Sequence, residues 1–256
     1  MSDSSGIREE FGRQATEMAN APAFRSTDNL TRILNALGPS PVGRVLDLAC
    51  GPGIVAEAIA PWANELEGID ATPEMIALAT KRLAQAGNKN AHFQVSPAEH
   101  LPFANEHFDA VITRLTLHHF TDVDAVLKET RRVTRPSGKF IVGEIITSAD
   151  ADDAALHNAF ERLRDPTHLR MFPRGELLAL LESAGFQIVA MEAWDQPRNF
   201  TEWAKIVAQP ARTEPLKQVM HAFARLGVHA GIDLREADGE IYFTHSWVLL
   251  TAQPRV

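Results

Sequence analysis

In the stretch VLDLACGPGIVAEAIA, residues 45–60, the carboxylate of Asp47 stands four positions before Gly51, and Gly53 follows two further on. Glycines so spaced leave bare backbone for a ligand to approach, and Gly51 to Ala56 satisfies G-x-G-x-x-A, an accepted form of the dinucleotide fingerprint. Asp70 follows where an acid that accepts from ribose hydroxyls belongs. Taken singly, each acid also fits a plainer role, Asp47 capping the next turn and Asp70 the next helix. Together they discriminate between ligands. A fixed carboxylate repels a pyrophosphate across a low-dielectric gap and attracts a cation. S-adenosylmethionine, with an ammonium, a sulfonium and no phosphate, satisfies the pair better than a nicotinamide dinucleotide.

Further along, LTLHHF places His118 and His119 side by side, and RDPTHLR sets Asp165 three residues before His168. An imidazole held by a carboxylate is the usual general base for a protonated nucleophile, and His118, His119 and His168 are the catalytic candidates. Structural imidazoles or a capped loop account for the same residues. His245 alternates onto the polar face of a final strand in YFTHSWVLL, and His221 and His229 read as solvated residues of a lid. No H-x3-H falls on an expected helix with a carboxylate partner, and no H-x-E with C-x2-C occurs, so no catalytic metal is expected. Arg131, Arg132 and Arg135 read as a solvated basic face.

These residues need a scaffold, and the pattern supplies one. From residue 43 to 147, short apolar runs alternate with 10–15-residue helical patterns, which implies βαβ units and a parallel sheet. Ligands of such sheets sit at the carboxyl ends of the strands, here residues 47–53, 70–75, 96–99 and 113–119. The expected fold is α/β, a Rossmann-like seven-stranded mostly parallel sheet with helices on both faces. Residues 1–40 read as an N-terminal helical cap whose second helix runs from Ser26 to Leu37. Residues 41–256 form the catalytic domain, with 151–185 and 197–238 as helical cap or lid insertions. Trp194, Phe200, Trp203, Phe223, Tyr242 and Trp247 concentrate late in the chain, where they line an apolar acceptor pocket or pack as core.

VLDLACGPG, GIDATPEMIALA, PAEHLPFANEHFDAVITRLTLHHFTD and LKETRRVTRPSGKFIV, in that order and spacing, resemble the class I S-adenosylmethionine-dependent methyltransferases. The likeness is strongest to the small-molecule enzymes similar to the ubiquinone/menaquinone-biosynthesis (type 11) methyltransferases. It implies that Asp47, Ala49, Gly51 and Gly53 surround the methionine moiety, that Asp70 holds the ribose and that Ala71 and Met75 flank the adenine. Ala98, Glu99 and Arg114 complete the implied cofactor-binding set. Two departures stand out: Pro97 replaces the acid expected to accept from the adenine amino group, and Met18 stands where the family often has a tyrosine.

Composition narrows the partners. At 256 residues, 45% hydrophobic and 23% charged, the chain can bury a real core. Its net charge of −8 disfavours a nucleic-acid partner, because that affinity rests on Lys and Arg. One cysteine, Cys50, permits no internal disulfide. With neither a signal-like N-terminus nor an 18-residue apolar run, a cytoplasmic protein off the membrane is expected, as monomer or homodimer. The leading expectation is methyl transfer from S-adenosylmethionine, leaving S-adenosylhomocysteine, to an O, N or activated C atom of a small apolar or aromatic metabolite. A methyltransferase fold used for binding or a non-methylating rearrangement is the alternative, and a nicotinamide-dependent oxidoreductase the third.

Overall fold

The computed structural model describes residues 4–39 and 41–255; residues 1–3, 40 and 256 of the ranges above lie outside them. Two helices lead, α1 (Ser4–Asn20) and α2 (Thr27–Leu37). Ser26 caps α2 through its hydroxyl, which accepts from Asn29 N, so the helix starts one residue later than expected. There follow β1 (Val42–Leu48), α3 (Ile54–Ile59), β2 (Ala63–Asp70), α4 (Pro73–Gln85), β3 (Ala91–Val95), β4 (Phe108–Arg114), α5 (Val123–Val133) and β5 (Thr134–Ile146). The remainder comprises α6 (Ala151–Arg164), α7 (Arg174–Ser183), β6 (Phe186–Asn199), α8 (Phe200–Lys205), α9 (Pro210–Arg225), β7 (Arg235–Ala237) and β8 (Glu240–Pro254).

The main sheet runs β3-β2-β1-β4-β5-β8-β6, with short β7 paired to β8. β1 pairs in parallel with both β2 and β4, while β8 runs antiparallel to β5 and β6. Strand order reverses beside β1, which opens a crevice at the carboxyl ends of β1 and β4.

Side chains on β1 alternate between the sheet's faces. Leu46 and Leu48 enter a core with Phe108, Phe140 and Phe186, while Val45 joins Ile33, Val55 and Ile59 on the other face. Phe108, Phe140 and Phe186 are fully buried, each side chain worth roughly 1.5–3 kcal/mol. A third core, built from Phe160, Phe200, Trp203, Leu216, Met220 and Phe243, joins α6, α8 and α9 to the outer half of β8.

Helix is shorter in the late segments than the pattern predicts. β6 continues to Asn199 because it pairs with β8 as far as Tyr242, and Arg235–Ala237 pairs as β7. Within 151–185, only α6 joins the third core; α7 packs Leu177 and Leu181 into the sheet's own core.

Gly53 begins α3 in a left-handed conformation, φ 77°. A Cβ there would meet the Cα and Cβ of Ala79 at 2.9 Å, so its bareness serves helix packing between α3 and α4. Gly53→Ala should destabilise the fold by about 2–4 kcal/mol, combining left-handed strain with overpacking. Urea denaturation reads this; an unchanged midpoint would contradict the packing role.

Candidate active site

A cavity of about 490 Å³ opens where β1, β2 and β4 end, closed on one side by α1. Asp47, Ala49, Gly51, Asp70, Ala71, Met75, Ala98, Glu99, Arg114 and His119 all line it. Gly53 stands outside the wall, and His118 and His168 line a smaller adjoining cavity of about 80 Å³, which His119 also borders.

Backbone shape at the crevice is unusual. Ala49 and Leu115, neither a glycine, hold left-handed φ values of 53° and 58°, and non-glycine residues in that region cluster at functional sites. Gly51 also has positive φ, 51°, and a Cβ built on it would meet nothing within 4 Å, so its face borders open cavity.

Asp47 is 2% exposed and its Oδ2 is buried without a hydrogen-bond partner. Burial pushes its pKa up to about 7, against the pull of the Arg114 guanidinium. Arg114 gives one N–H to the Phe24 carbonyl at 2.9 Å, while its Nη1 is buried and unpartnered; burial lowers its pKa to about 10. A carboxylate left so exposed to desolvation is a ready partner for a cation.

Asp70 accepts from Gly51 N at 3.0 Å and Thr72 N at 2.9 Å, one on each oxygen. Burial raises its pKa despite these two bonds. Each oxygen keeps a second lone pair, which suits a diol. Cys50 is buried with its thiol pushed up by burial, so it is no nucleophile.

The loop carrying Ala98 and Glu99 is tied from behind. Glu129 accepts from Leu101 N at 2.8 Å, and Arg132 donates to the Leu101 and Phe103 carbonyls at 3.0 and 2.7 Å. Arg132 is therefore an anchor rather than part of a solvated face; Arg131 donates to the Arg255 carbonyl and Arg135 pairs with Asp109.

The two adjacent histidines have different surroundings. Glu144, buried on β5, accepts from Thr116 N at 2.7 Å and Leu117 N at 2.8 Å and meets His118 Nδ1 at 2.8 Å. Burial alone would lower the His118 pKa, but Glu144 outweighs it and the net shift is upward. His119 goes the other way, pushed well below the ordinary range by burial and by His118. Its Nδ1 lies 3.0 Å from the Thr167 carbonyl, whose residue's hydroxyl donates to Asp165 at 2.7 Å. Donation to that carbonyl fixes the hydrogen on Nδ1 and leaves Nε2 as the basic atom.

One expected pairing and one expected placement change. Asp165 holds Thr167 and Gln14 rather than the His168 ring, which bonds Asn158 Oδ1 at 3.0 Å. His245 lies on the buried phase of β8, not its polar face, and is 4% exposed. Of the late aromatic residues, Trp203 and Trp247 line the smaller cavity, together with four histidines, two acids and two arginines. Its inner wall is thus strongly polar, while Phe11, Met18, Phe24 and Leu115 border both cavities.

The family described as "Methyltransferase domain" matches residues 46–142. The "uncharacterized methyltransferase YcgJ" of Bacillus subtilis (strain 168) is 30% identical over 210 residues, 82% of each chain. The crystal structure of YcgJ superposes with a TM-score of 0.81 at 28% identity, covering 89% of this chain and 98% of that one. The ubiquinone/menaquinone biosynthesis C-methyltransferase UbiE of Geotalea daltonii is 37% identical over 114 residues, 42% of this chain and 48% of its own. A central parallel sheet, a glycine turn flanked by two acids and these relatives define the class, that of Rossmann-like methyl-transfer enzymes. The chain belongs to the S-adenosylmethionine-dependent methyltransferases. The relatives favour this class over the dinucleotide reading of the same glycines.

Glu144→Gln should lower the His118 pKa, which NMR titration of the ring reads directly. A folded pKa raised above the ordinary 6.5 means the pair's contribution is complete below pH 6.5 and is lost as pH rises through the raised value. The stability lost in Glu144→Gln should therefore be larger at acid than at alkaline pH; equal losses would contradict the ion pair.

Proposed function

We propose that this methyltransferase acts on an O, N or activated C nucleophile of a small metabolite, with His119 as general base. The observation that carries this reading is His119 itself, a neutral imidazole bordering both cavities and fixed through Thr167 and Asp165. When bound, S-adenosylmethionine supplies a methyl group on a positively charged sulfur.

The chain's own residues divide the remaining work. Asp47 accepts from the donor's ammonium end, and Asp70 from the ribose hydroxyls with its free lone pairs. Ala49 and Gly51 offer backbone to the methionine moiety, Ala71 and Met75 pack on the adenine, and Ala98 gives its N–H to the ring. Glu99 is the third carboxylate in the wall and Arg114 the cation behind Asp47. Pro97 removes one acceptor for the adenine amino group, and Met18 puts a thioether where a hydroxyl would stand.

At the junction of the cavities, Phe11, Met18, Phe24 and Leu115 would hold the apolar body of the acceptor, with its nucleophile turned to His119. His118, bound to Glu144, and His168, bound to Asn158, position that wall. Alignment in a water-poor site supplies much of the rate, and proton removal adds the rest where the nucleophile arrives protonated. Among the described residues no helix is long and apolar enough to cross a membrane. A cytoplasmic monomer or homodimer, with no nucleic-acid partner, fits the acidic charge.

Incubation with methyl-labelled S-adenosylmethionine and a panel of small phenols, amines and enolisable ketones tests the reading. On any acceptor that reacts, His119→Gln should lower kcat by roughly 10²–10⁴-fold with S-adenosylhomocysteine affinity unchanged. The base works unprotonated, so activity should hold through neutral pH and fall only well below pH 6.5. An unchanged kcat in His119→Gln would overturn the role.

A further inference from the structure

At the edge of the smaller cavity lie three groups that methyl transfer does not use. His157 and Glu161 stand one turn apart on the same face of α6, and His245 reaches them from β8. One ligating atom from each lies within 4.8 Å of the other two, and all three side chains are buried, 2%, 3% and 4% exposed. Both ring nitrogens of His157 are buried with no hydrogen-bond partner. His245 Nε2 sits 3.3 Å from Glu161 Oε1 without the alignment of a hydrogen bond. A buried imidazole normally satisfies at least one nitrogen, and a native exception calls for a missing partner such as an ion.

Arg164 pairs with Glu161 from one turn along the same helix. Arg164 donates twice to Oε2, at 2.8 and 3.1 Å, which leaves Oε1 turned to the histidines. Such a clamp on the far oxygen is how outer partners orient a ligating carboxylate.

We propose that His157, Glu161 and His245 form a three-ligand site for a divalent first-row transition-metal ion of the zinc type. Two imidazoles and one carboxylate suit that class and leave a coordination position open. Glu161 and His245 also line the chamber that His119 borders, so the open position belongs to that chamber. Arg164 and Arg198 line the same chamber, and an anionic oxygen suits the open position beside them. Arg198 Nε, buried and unpartnered, offers that oxygen a donor. The helix-internal H-x3-H rule misses this arrangement because the helix gives H-x3-E and the second histidine comes from a distant strand.

The test uses the full, untagged chain, stripped with a chelator and titrated with zinc against a chromophoric competitor. Stoichiometric uptake is expected, with a rise in Tm on metal addition. His157→Ala and His245→Ala should each weaken uptake by more than about 100-fold, beyond what loss of an outer partner costs, and abolish the Tm rise. Retained S-adenosylhomocysteine binding reports that these variants are folded. The isosteric Glu161→Gln should weaken uptake as well and decides the matter if a histidine variant does not fold. His92→Ala, an exposed histidine on β3, should bind zinc as the parent does. Substoichiometric uptake by the parent, or equal uptake by the parent and the His157, His245 or Glu161 variants, would overturn the site.

Discussion

A carboxylate buried at the end of the central strand is expensive to keep, and the crevice is organised around that expense. Asp47 sits almost without solvent, with one oxygen unpartnered, and its pKa stands near 7. Arg114, on the neighbouring strand, acts to lower it, and its own Nη1 is unsatisfied. Two unmade bonds so close to a cavity are characteristic of a site whose ligand completes them. The parallel pairing of β1 with β2 and β4 brings Asp47, Asp70 and Arg114 to one mouth, so the topology itself sets the charges that select the ligand.

Around that centre, the catalytic wall is built by long-range tethers. Glu144 binds two backbone N–H groups and His118, and thereby fixes the turn that follows β4. The His118 carbonyl accepts from Leu169 N and Arg170 N, which brings the loop bearing Thr167 under His119. An imidazole whose pKa a buried carboxylate raises thus stands beside one whose pKa burial lowers and whose tautomer is fixed. That contrast arises from opposite environments of two adjacent residues, in the way acid and base roles are separated elsewhere.

Much of this was legible in the sequence, for identifiable reasons. The glycine turn, Asp47 and Asp70 lie within 24 residues of one another, and the βαβ periodicity places them at strand ends without tertiary information. Glu144 was not legible, because GKFIVGEII reads as an ordinary buried strand and the groups it serves come from residues 116–118. Thr167 was hidden for the same reason: the pairing of Asp165 with His168 looked local, whereas Asp165 serves Thr167 and through it His119. His245 went to the buried phase of β8 because Ile241 and Phe243, of the same parity, enter the third core. Alternation fixes which residues share a face, but packing against α6 decides which face is buried.

The most direct test of the account is a binding cycle on Asp47, comparing S-adenosylhomocysteine with methylthioadenosine, which lacks the amino-acid end. Calorimetry on the parent chain should show tighter binding of the complete ligand, and Asp47→Asn should remove that advantage while leaving methylthioadenosine affinity unaltered. If Asp47→Asn weakens both ligands equally, or neither, Asp47 does not read the ammonium and the electrostatic account of the crevice fails.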